Sequence, residues 1–532
     1  MAKADELHQD FKFSILPLLP LLLLFIASRF MNILNFPIFN DESNLIQWAQ
    51  LINHDWDKFK FISVNNVFAA WRPPLQFWLG SVSIGLIDNP LLAARLISAS
   101  VSIVGFLSIY FFSGFYFNSR TAAFWSALFW TLNPMVLFYD REYVTETYVY
   151  SFAAATYLLT YLTISKHKLY LLPAVFFASL TILSKQSGLL YVYGLVFYCA
   201  LQITPRSVQI NRAPQSKKRS NIGSTRLTVN YNNIFLILLI IITSYALYRL
   251  IIPSEYFKDF KTFNNQFMLT PSEIMRFPFD AWLGNVHRIF SLFLHYYSLL
   301  TFLFVAVFIY RCVKRRDSRD ILMLAWLGLN TFIMIIYFRY YNEYMYNTSN
   351  IVFLTLILGL AAHDIQELAN KVNLKPVKVL LLSGGVSILL VSIWSYQLIY
   401  YYTSPKDYIN KFGTPWMKEN YLEGWASGFG INEALELLSH EHNKYVFVDP
   451  QWGNPGTGIT VFANRYPSLK IMPISGDVIR YLDQLRPNTA IALFKDRSRP
   501  GLDDFLLNHS ICNNRVTIKV QEKQMPIFVC RN

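Results

Sequence analysis

Long apolar runs dominate this sequence of 532 residues and constrain its fold more than any other feature. A transmembrane helix needs about 20 mostly apolar residues, and eleven stretches approach or exceed that length. They are residues 12–31, 92–115, 121–139, 143–164, 168–185, 187–204, 233–252, 289–310, 320–338, 349–367 and 377–400. Only 15% of the residues are charged, against about 25% in soluble domains. The sequence therefore predicts a polytopic α-helical membrane protein with about eleven spans.

The basic loops predict how these spans are oriented, because cytoplasmic loops carry an excess of Lys and Arg. An apolar piece at 75–87 is too short to cross comfortably. If it does not cross, the basic segments at 205–231, 311–319 and 363–378 all fall on the cytoplasmic side. The first loop, 32–90, and the C-terminus then fall on the extracytoplasmic side. The membrane is expected to be the plasma membrane of the host cell. We expect 75–87 to dip into the outer leaflet as a re-entrant segment, with an interfacial amphipathic helix as the alternative.

The composition changes near residue 403, where the apolar runs end. A helix at 432–440 and a strand at 445–449 are followed by four strand-like segments, IMPI, TAIALF, RVTIKV and PIFVC. The pattern predicts a membrane-embedded module at 1–402 and a small, soluble extracytoplasmic α/β domain at 403–532. GNPGTG at 453–458 lacks the Lys-Ser/Thr ending of a phosphate loop and predicts a tight turn. Cys512 and Cys530 flank a predicted hairpin, and both a disulfide and two free thiols fit their positions.

The net charge of +14 does not indicate a nucleic-acid partner. The basic clusters lie between apolar runs, where they fit contact with anionic lipid. They show neither interleaved aromatic residues nor a recognisable nucleic-acid-binding module.

Acids and bases gather on the predicted outer face. The acids come from two separate loops, Asp41 with Glu42 and Glu142 with Glu146. The accompanying side chains are Arg72, Arg95, Arg141, Lys185, Arg339 and Tyr341. Charges beside a bilayer cost several kcal/mol unless they pair or face water. The convergence predicts a water-accessible cavity that carries chemistry, and a purely structural salt-bridge network is the alternative.

These residue types suit group transfer from a lipid phosphate to a hydroxyl. A carboxylate can accept the proton of a hydroxyl as its oxygen attacks. Arg and Lys side chains can hold a phosphate and stabilise charge that develops on it as it leaves. A sugar carried on a polyprenyl phosphate is such a donor.

The order of the motifs resembles a known family. Asp41-Glu42 follows the first span, Pro-Pro-Leu stands at 73–75, Ala-Arg-Leu at 94–96, and Arg141 precedes Glu146 by five positions. Together with Ser-Lys at 184–185, this set resembles the GT-C glycosyltransferases of the protein O-mannosyltransferase type. That grouping includes the lipid A aminoarabinose transferases and many bacterial family 39 enzymes. The resemblance covers residues 12–200 well and the later spans in outline.

The resemblance implies an inverting sugar transfer from a polyprenyl phosphate on the outer face of the membrane. Asp41 matches the catalytic base and Glu42 the neighbouring acid of the same motif. Arg141 and Glu146 match an Arg-x4-Asp motif in which Glu replaces Asp. Glu142 is a further acid for the donor, the acceptor or a metal. The side chains expected at the donor phosphate are Arg72, Arg95, Arg141, Lys185, Arg339 and Tyr341.

Three questions stay open at this point. Some relatives use a divalent cation between the two acidic loops, with Asp41 and Glu146 as its expected ligands here, and oxygen ligands suit Mg²⁺ or Mn²⁺. Lipid, protein and polysaccharide acceptors all fit the sequence, and the sugar is not disclosed. A transporter or flippase for a lipid-linked saccharide and a non-catalytic membrane scaffold are the rival functions.

Overall fold

The structure is a computed structural model, and it is predominantly helical. It describes residues 15–65, 72–207, 225–255, 257, 267–339, 348–371, 385–423, 426–440, 445–448, 454, 456–466, 468–473, 489–492, 514–520 and 523–530. The helices of the first half are α1 (Ile15–Phe30), α2 (Asn40–His54), α3 (Leu75–Leu86), α4 (Pro90–Phe117), α5 (Arg120–Leu132), α6 (Pro134–Asp140), α7 (Thr145–Ser165), α8 (Leu171–Ser184) and α9 (Gly188–Gly194). The later helices are α10 (Tyr231–Ile251), α11 (Phe279–Leu292), α12 (Leu300–Arg315), α13 (Ser318–Tyr337), α14 (Thr348–Lys371), α15 (Gly385–Thr403), α16 (Pro405–Phe412), α17 (Ile431–His440) and α18 (Gly456–Val461).

Every one of the eleven predicted spans overlaps a helix of the structure. Judged by length and composition alone, four helices within the described residues are long and apolar enough to cross a membrane. The number rises to six when each of two bent pairs, α5 with α6 and α11 with α12, counts as one span. A membrane-embedded helical protein is therefore supported, and the total of eleven spans stays a prediction.

The break between α5 and α6 places the end of α6 beside the first loop. The two helices meet at an angle of 60°. Asn133 forms the break, and its side chain accepts hydrogen bonds from the backbone amides of Met135 and Val136 at 3.0 and 3.3 Å. Pro134 follows at the first helical position, where its missing amide hydrogen costs nothing. Helix α6 ends at Asp140, so Glu142 lies in the loop directly after the helix.

Side-chain contacts connect segments that the charge rule places on the same side of the membrane. At one end, Asn35 donates to the carbonyl of Tyr401 at 3.2 Å. At the other end, Arg311 contacts Asp364 at 2.5 Å, and the hydroxyl of Tyr116 donates to the carbonyl of Arg319 at 3.1 Å. The first pair belongs to loops predicted to lie outside, and the other residues belong to segments predicted to lie inside or at the inner ends of spans.

The apolar piece at 75–87 forms α3, which is too short for a comfortable span. Its 12 residues reach about 18 Å at 1.5 Å per residue, short of a hydrocarbon core of about 30 Å. Trp78 donates to the carbonyl of Lys60 at 2.7 Å near one end of α3. Near the other end, a Cβ on Gly85 would lie 2.7 Å from the side-chain oxygen of Asn53. Both ends therefore stay against the first loop, as the predicted topology requires.

The residues after 403 combine helices with a five-stranded mixed sheet. Its strands are β3 (Tyr445–Val448), β4 (Lys470–Pro473), β5 (Thr489–Ala492), β6 (Asn514–Val520) and β7 (Lys523–Cys530), after a separate hairpin of β1 (Ile203–Ser207) and β2 (Thr225–Val229). The order is β4-β3-β5-β7-β6, with β3 parallel to β4 and β5, and β7 antiparallel to β5 and β6. The predicted helix and all five predicted strands are present in this region. Cys512 lies outside the described residues.

The predicted tight turn at 453–458 is confirmed only in part, because Asn454 lies in a turn but α18 begins at Gly456. The side-chain oxygen of Asn454 accepts the backbone amide of Gly458 at 3.1 Å and the hydroxyl of Thr457 at 2.8 Å. These bonds satisfy donors that the first turn of a helix leaves free. Thr457 also donates to the side chain of Asn40 at 2.8 Å, so α18 packs on the start of α2.

Gly428 lies against the backbone that leads into α2. A Cβ at this position would lie 1.8 Å from the carbonyl oxygen of Ile38, closer than any real contact. We expect Gly428→Ala to lower the thermal unfolding midpoint of the purified protein, because the backbone at residue 38 cannot move without shifting α2. Gly284→Ala is the matched control, since its added methyl meets nothing within 4 Å. Equal midpoints for the two variants would contradict this packing.

Candidate active site

Glu42 is a buried anchor at the start of α2. Its carboxylate takes two hydrogen bonds from the guanidinium of Arg95, at 2.8 and 2.7 Å, and both side chains are fully buried. The backbone amide of Tyr143 donates a third bond at 2.9 Å. Arg95 also donates to the carbonyls of Ile33 and Phe36 at 3.0 and 2.8 Å. These contacts tie the first loop to α4 and to the loop after α6, and they leave Arg95 engaged with protein groups.

Asp41 points away from this buried pair toward accessible space. Consecutive residues of a helix diverge by about 100°, so Asp41 and Glu42 cannot face the same side. The side chain of Asp41 is 29% exposed, and its Oδ2 lies 3.6 Å from the guanidinium of Arg72, which is 15% exposed. Asp41 is therefore the half-exposed carboxylate of the pair, with a cationic neighbour that leads into α3.

Arg141 closes the end of α1 rather than facing the accessible side. Its guanidinium donates to the carbonyls of Ser28, Met31 and Asn32 at 3.0, 2.6 and 2.6 Å. Ser28 lies in the last turn of α1, where carbonyls lack helical partners, and Met31 and Asn32 follow the helix directly. The guanidinium carbon also lies 4.9 Å from the ring centroid of Tyr402. Arg141 thus fixes the loop after α6 to the start of the first loop.

Asp140 and Arg29 form a second buried pair, which sequence reasoning missed. Arg29 Nε donates to Asp140 at 2.9 Å with both side chains fully buried, and the hydroxyl of Tyr150 donates to the other carboxylate oxygen at 2.5 Å. A signal was available, because a lone arginine at the end of an apolar helix requires a partner. This pair supplies the structural salt bridge that was considered as an alternative.

Glu142 is buried between other acids. The hydroxyl of Tyr421 donates to its Oε2 at 2.8 Å, and its Oε1 has no hydrogen-bond partner within the part of the chain that the structure describes. Burial raises the pKa of Glu142 well above its ordinary value, and the charges of Glu42 and Glu146 raise it further, while Arg95 opposes them. The backbone amide of Tyr143, the neighbour of Glu142, donates to Glu42, so the buried acids of the two loops lie close together.

Glu146, in the first turn of α7, is ion-paired with Lys185. The carboxylate is almost fully buried, whereas Lys185 is 17% exposed. Lys185 follows α8, and a tight turn brings the chain back, since a Cβ on Gly188 would lie 2.2 Å from the carbonyl of Thr181. The pair therefore reaches accessible space through its cationic partner. We call Asp41, Glu42, Glu142 and Glu146 the acid cluster.

The described partner of Arg339 is an acid outside the acid cluster. It pairs with Glu273 at 2.9 Å on the wall of a cavity of about 620 Å³, which is lined by residues 269, 273, 276–281 and 339. The pKa of Glu273 is lowered to about 2, chiefly because the backbone amide and the hydroxyl of Thr270 donate to it, with a contribution from Arg339. No member of the acid cluster lines this cavity. Tyr341 falls outside the described residues.

The donor atoms of Asp41 and Glu146 suit Mg²⁺ or Mn²⁺ in type, but each carboxylate is already paired with a cationic side chain. Within the described ranges, one group brings three potential ligand atoms within 4.8 Å of one another, namely His363, Asp364 and Glu367. That group lies on α14, and Arg311 occupies Asp364. The acid cluster is therefore not a ready metal site.

The family profile of dolichyl-phosphate-mannose-protein mannosyltransferases matches residues 71–213. Crystal structures of ArnT from Cupriavidus metallidurans superimpose along 97% of both chains at 12% identity, with a TM-score of 0.54 for the apo state and 0.53 for the complex with undecaprenyl phosphate. The chain has the GT-C fold of the mannosyltransferase and ArnT type.

A third structure with this fold is the Archaeoglobus fulgidus oligosaccharyltransferase tethered to an acceptor peptide that contains an NVT sequon. It is 14% identical and has a TM-score of 0.50, and the match covers 87% of this chain and 64% of that one. A sequence search among curated proteins finds no match. The GT-C resemblance inferred from the motifs is thereby confirmed, and the matched segment 71–213 includes Arg72, Glu146 and Lys185.

Proposed function

We propose that this GT-C protein is a membrane glycosyltransferase of the plasma membrane. It transfers a sugar from a polyprenyl-phosphate donor to an acceptor hydroxyl on the outer face, with inversion. The observation that carries the proposal is the division of the acid cluster into two parts. Glu42 and Glu142 are buried and held by protein groups, whereas Asp41 is half-exposed and Glu146 reaches accessible space through Lys185.

Asp41 is the base of the proposed reaction. Its carboxylate takes the proton of the acceptor hydroxyl while that oxygen forms a bond to the anomeric carbon of the sugar. The bond between the anomeric carbon and the phosphate oxygen breaks, and the polyprenyl phosphate leaves with the electron pair. Attack from the side opposite the leaving group inverts the anomeric carbon. Holding both substrates in this alignment supplies a large part of the acceleration.

Arg72 and Lys185 hold the donor phosphate in this account. Both are cationic and partly exposed, and each lies beside an acid of the cluster. Their charges stabilise the phosphate as it leaves. The ArnT structure with bound undecaprenyl phosphate supports a lipid phosphate as ligand of this fold. Arg95 and Arg141 hold the loops in place in this proposal. Arg95 pairs with Glu42 and donates to backbone carbonyls, and Arg141 donates to backbone carbonyls.

The rival functions receive less support from the same contacts. A carrier places its key charges near the middle of the membrane, whereas the acid cluster lies at the end of the bundle that joins the first loop to the C-terminal region. A scaffold would have no use for a partly exposed carboxylate beside a cation.

The decisive experiment incubates the purified protein with a panel of polyprenyl-phosphate sugars and measures release of free polyprenyl phosphate. Release from none of them, across lipid, protein and polysaccharide acceptors, would overturn the proposal.

Arg72→Gln tests the assignment of the donor phosphate. We expect the KM for the donor to rise about 10- to 100-fold, because a charge-assisted hydrogen bond contributes about 1.5–3 kcal/mol. Lys60→Gln is the control, since Lys60 is an exposed cation of the same loop that pairs with Asp57. Steady-state kinetics with varied donor concentration measures both. An unchanged donor KM in Arg72→Gln would remove Arg72 from the phosphate site.

A further inference from the structure

Tyr421 joins the C-terminal region to the acid cluster. It lies in a short helical turn, Lys418–Glu423, and is almost fully buried. Its ring stacks on Phe39 with centroids 4.3 Å apart and packs edge-on against Phe138 at 5.0 Å. Phe39 is the residue that begins α2, and Phe138 lies in the last turn of α6. A single side chain thus contacts both loops that supply the acids.

The backbone around Tyr421 also holds the start of α2. Ser427 donates to the carbonyl of Tyr421 at 2.9 Å. The backbone amide of Asn40 donates to the carbonyl of Ala426 at 3.0 Å, and Asn454 donates to that same carbonyl at 3.0 Å. Asn40 is the direct neighbour of Asp41. The position of the proposed base therefore depends on residues that lie more than 380 positions away in the sequence.

We propose that Tyr421 is a positioning residue of the transferase reaction, which fixes the Glu142 carboxyl beside Glu42 and so makes Tyr421, with Ala426 and Asn454, part of the active site. The inference rests on the proposed function. Its geometric basis is the hydrogen bond from the Tyr421 hydroxyl to Glu142 Oε2, made inside a fully buried contact. Aromatic stacking fixes the ring, so the hydroxyl can reach Glu142 from one direction alone.

Glu142 needs such a partner because of the charges that face it. Glu42 from α2 and Glu146 from α7 repel a charged carboxylate, Arg95 from α4 attracts it, and the phenol of Tyr401 from α15 lies within their range. Burial raises the pKa of Glu142, so the neutral acid is favoured. A neutral Glu142 lets Glu42 and Glu146 keep Arg95 and Lys185 as partners. Without Tyr421, the carboxyl can rotate toward Glu42, next to the base.

Tyr421→Phe tests this role, because it keeps the ring and removes the hydroxyl. We expect kcat to fall about tenfold, equivalent to about 1.4 kcal/mol, while the KM for the polyprenyl-phosphate sugar stays within about twofold. Tyr408→Phe is the matched control, since Tyr408 is buried and its hydroxyl has no hydrogen-bond partner within the described residues. A thermal unfolding scan of each variant confirms that it is folded.

A second readout does not depend on turnover. The difference infrared spectrum between wild type and Glu142→Gln assigns the carbonyl band of the neutral Glu142 carboxyl. In Tyr421→Phe this band should move to higher frequency, because its carbonyl loses a hydrogen bond, and in Tyr408→Phe it should not move. An unshifted band, or a kcat equal to that of Tyr408→Phe, would overturn the positioning role. A shifted band in a protein that releases no polyprenyl phosphate from any donor would overturn the proposed function and leave the contact established.

Discussion

Asp41→Asn should lower kcat for sugar transfer about 100- to 10,000-fold, the usual contribution of a general base. Asparagine has the same shape as aspartate but cannot accept the proton of the acceptor hydroxyl. The change leaves the buried pair of Glu42 and Arg95 intact, so the protein should remain folded. Binding of the polyprenyl-phosphate donor should persist, because Arg72 and Lys185 are unchanged. Rates of polyprenyl phosphate release at saturating donor and acceptor measure the effect.

Asp57→Asn is the matched control for this experiment. Asp57 belongs to the same loop, and its side chain is 95% exposed and pairs only loosely with Lys60, at 3.5 Å. It should retain the wild-type rate. If Asp41→Asn turned over as fast as Asp57→Asn, the base would have to be another group, and Glu146 would be the next residue to substitute.

Glu42→Gln should cause the largest loss of stability among substitutions in the acid cluster. It leaves the charge of Arg95 fully buried without a counter-charge, which costs about 3–5 kcal/mol. Thermal unfolding followed with a thiol-reactive dye is suitable, because Cys312 is buried in the folded state and reacts when the bundle opens. Glu367→Gln breaks the exposed pair with Arg315 and should leave the midpoint nearly unchanged. Equal midpoints for the two variants would contradict the anchoring role of Glu42.

The helices were predictable because membrane spans are long apolar runs, which can be recognised in the sequence. Each predicted span overlaps a helix, and the short piece at 75–87 is also a helix, of 12 residues. The strands after residue 403 also followed from local pattern. The division into modules at 1–402 and 403–532 stays a prediction, and local pattern gave no sign that Ala426, Asn454 and Thr457 bond directly to the start of α2. Such long-range contacts leave no mark in local composition.

The candidate site was predictable in its membership but not in its division of roles. Adjacent acids such as Asp41 and Glu42 look equivalent in a sequence, and only packing shows that Glu42 faces Arg95. Arg141 was predicted to bind phosphate, whereas its partners are backbone carbonyls. Every residue carries a carbonyl, so such partners cannot be recognised in a sequence. Tyr421 gave no signal at all, because a tyrosine far from the motifs becomes relevant only when the chain folds back.

The location of the donor phosphate tests the central claim most directly. An experimental map of the protein in lipid nanodiscs with bound polyprenyl phosphate would show it. We expect phosphate density within hydrogen-bonding distance of Arg72 and Lys185, beside the carboxylate of Asp41. Density in the separate cavity lined by Arg276 and Arg339 instead, away from the acid cluster, would contradict it.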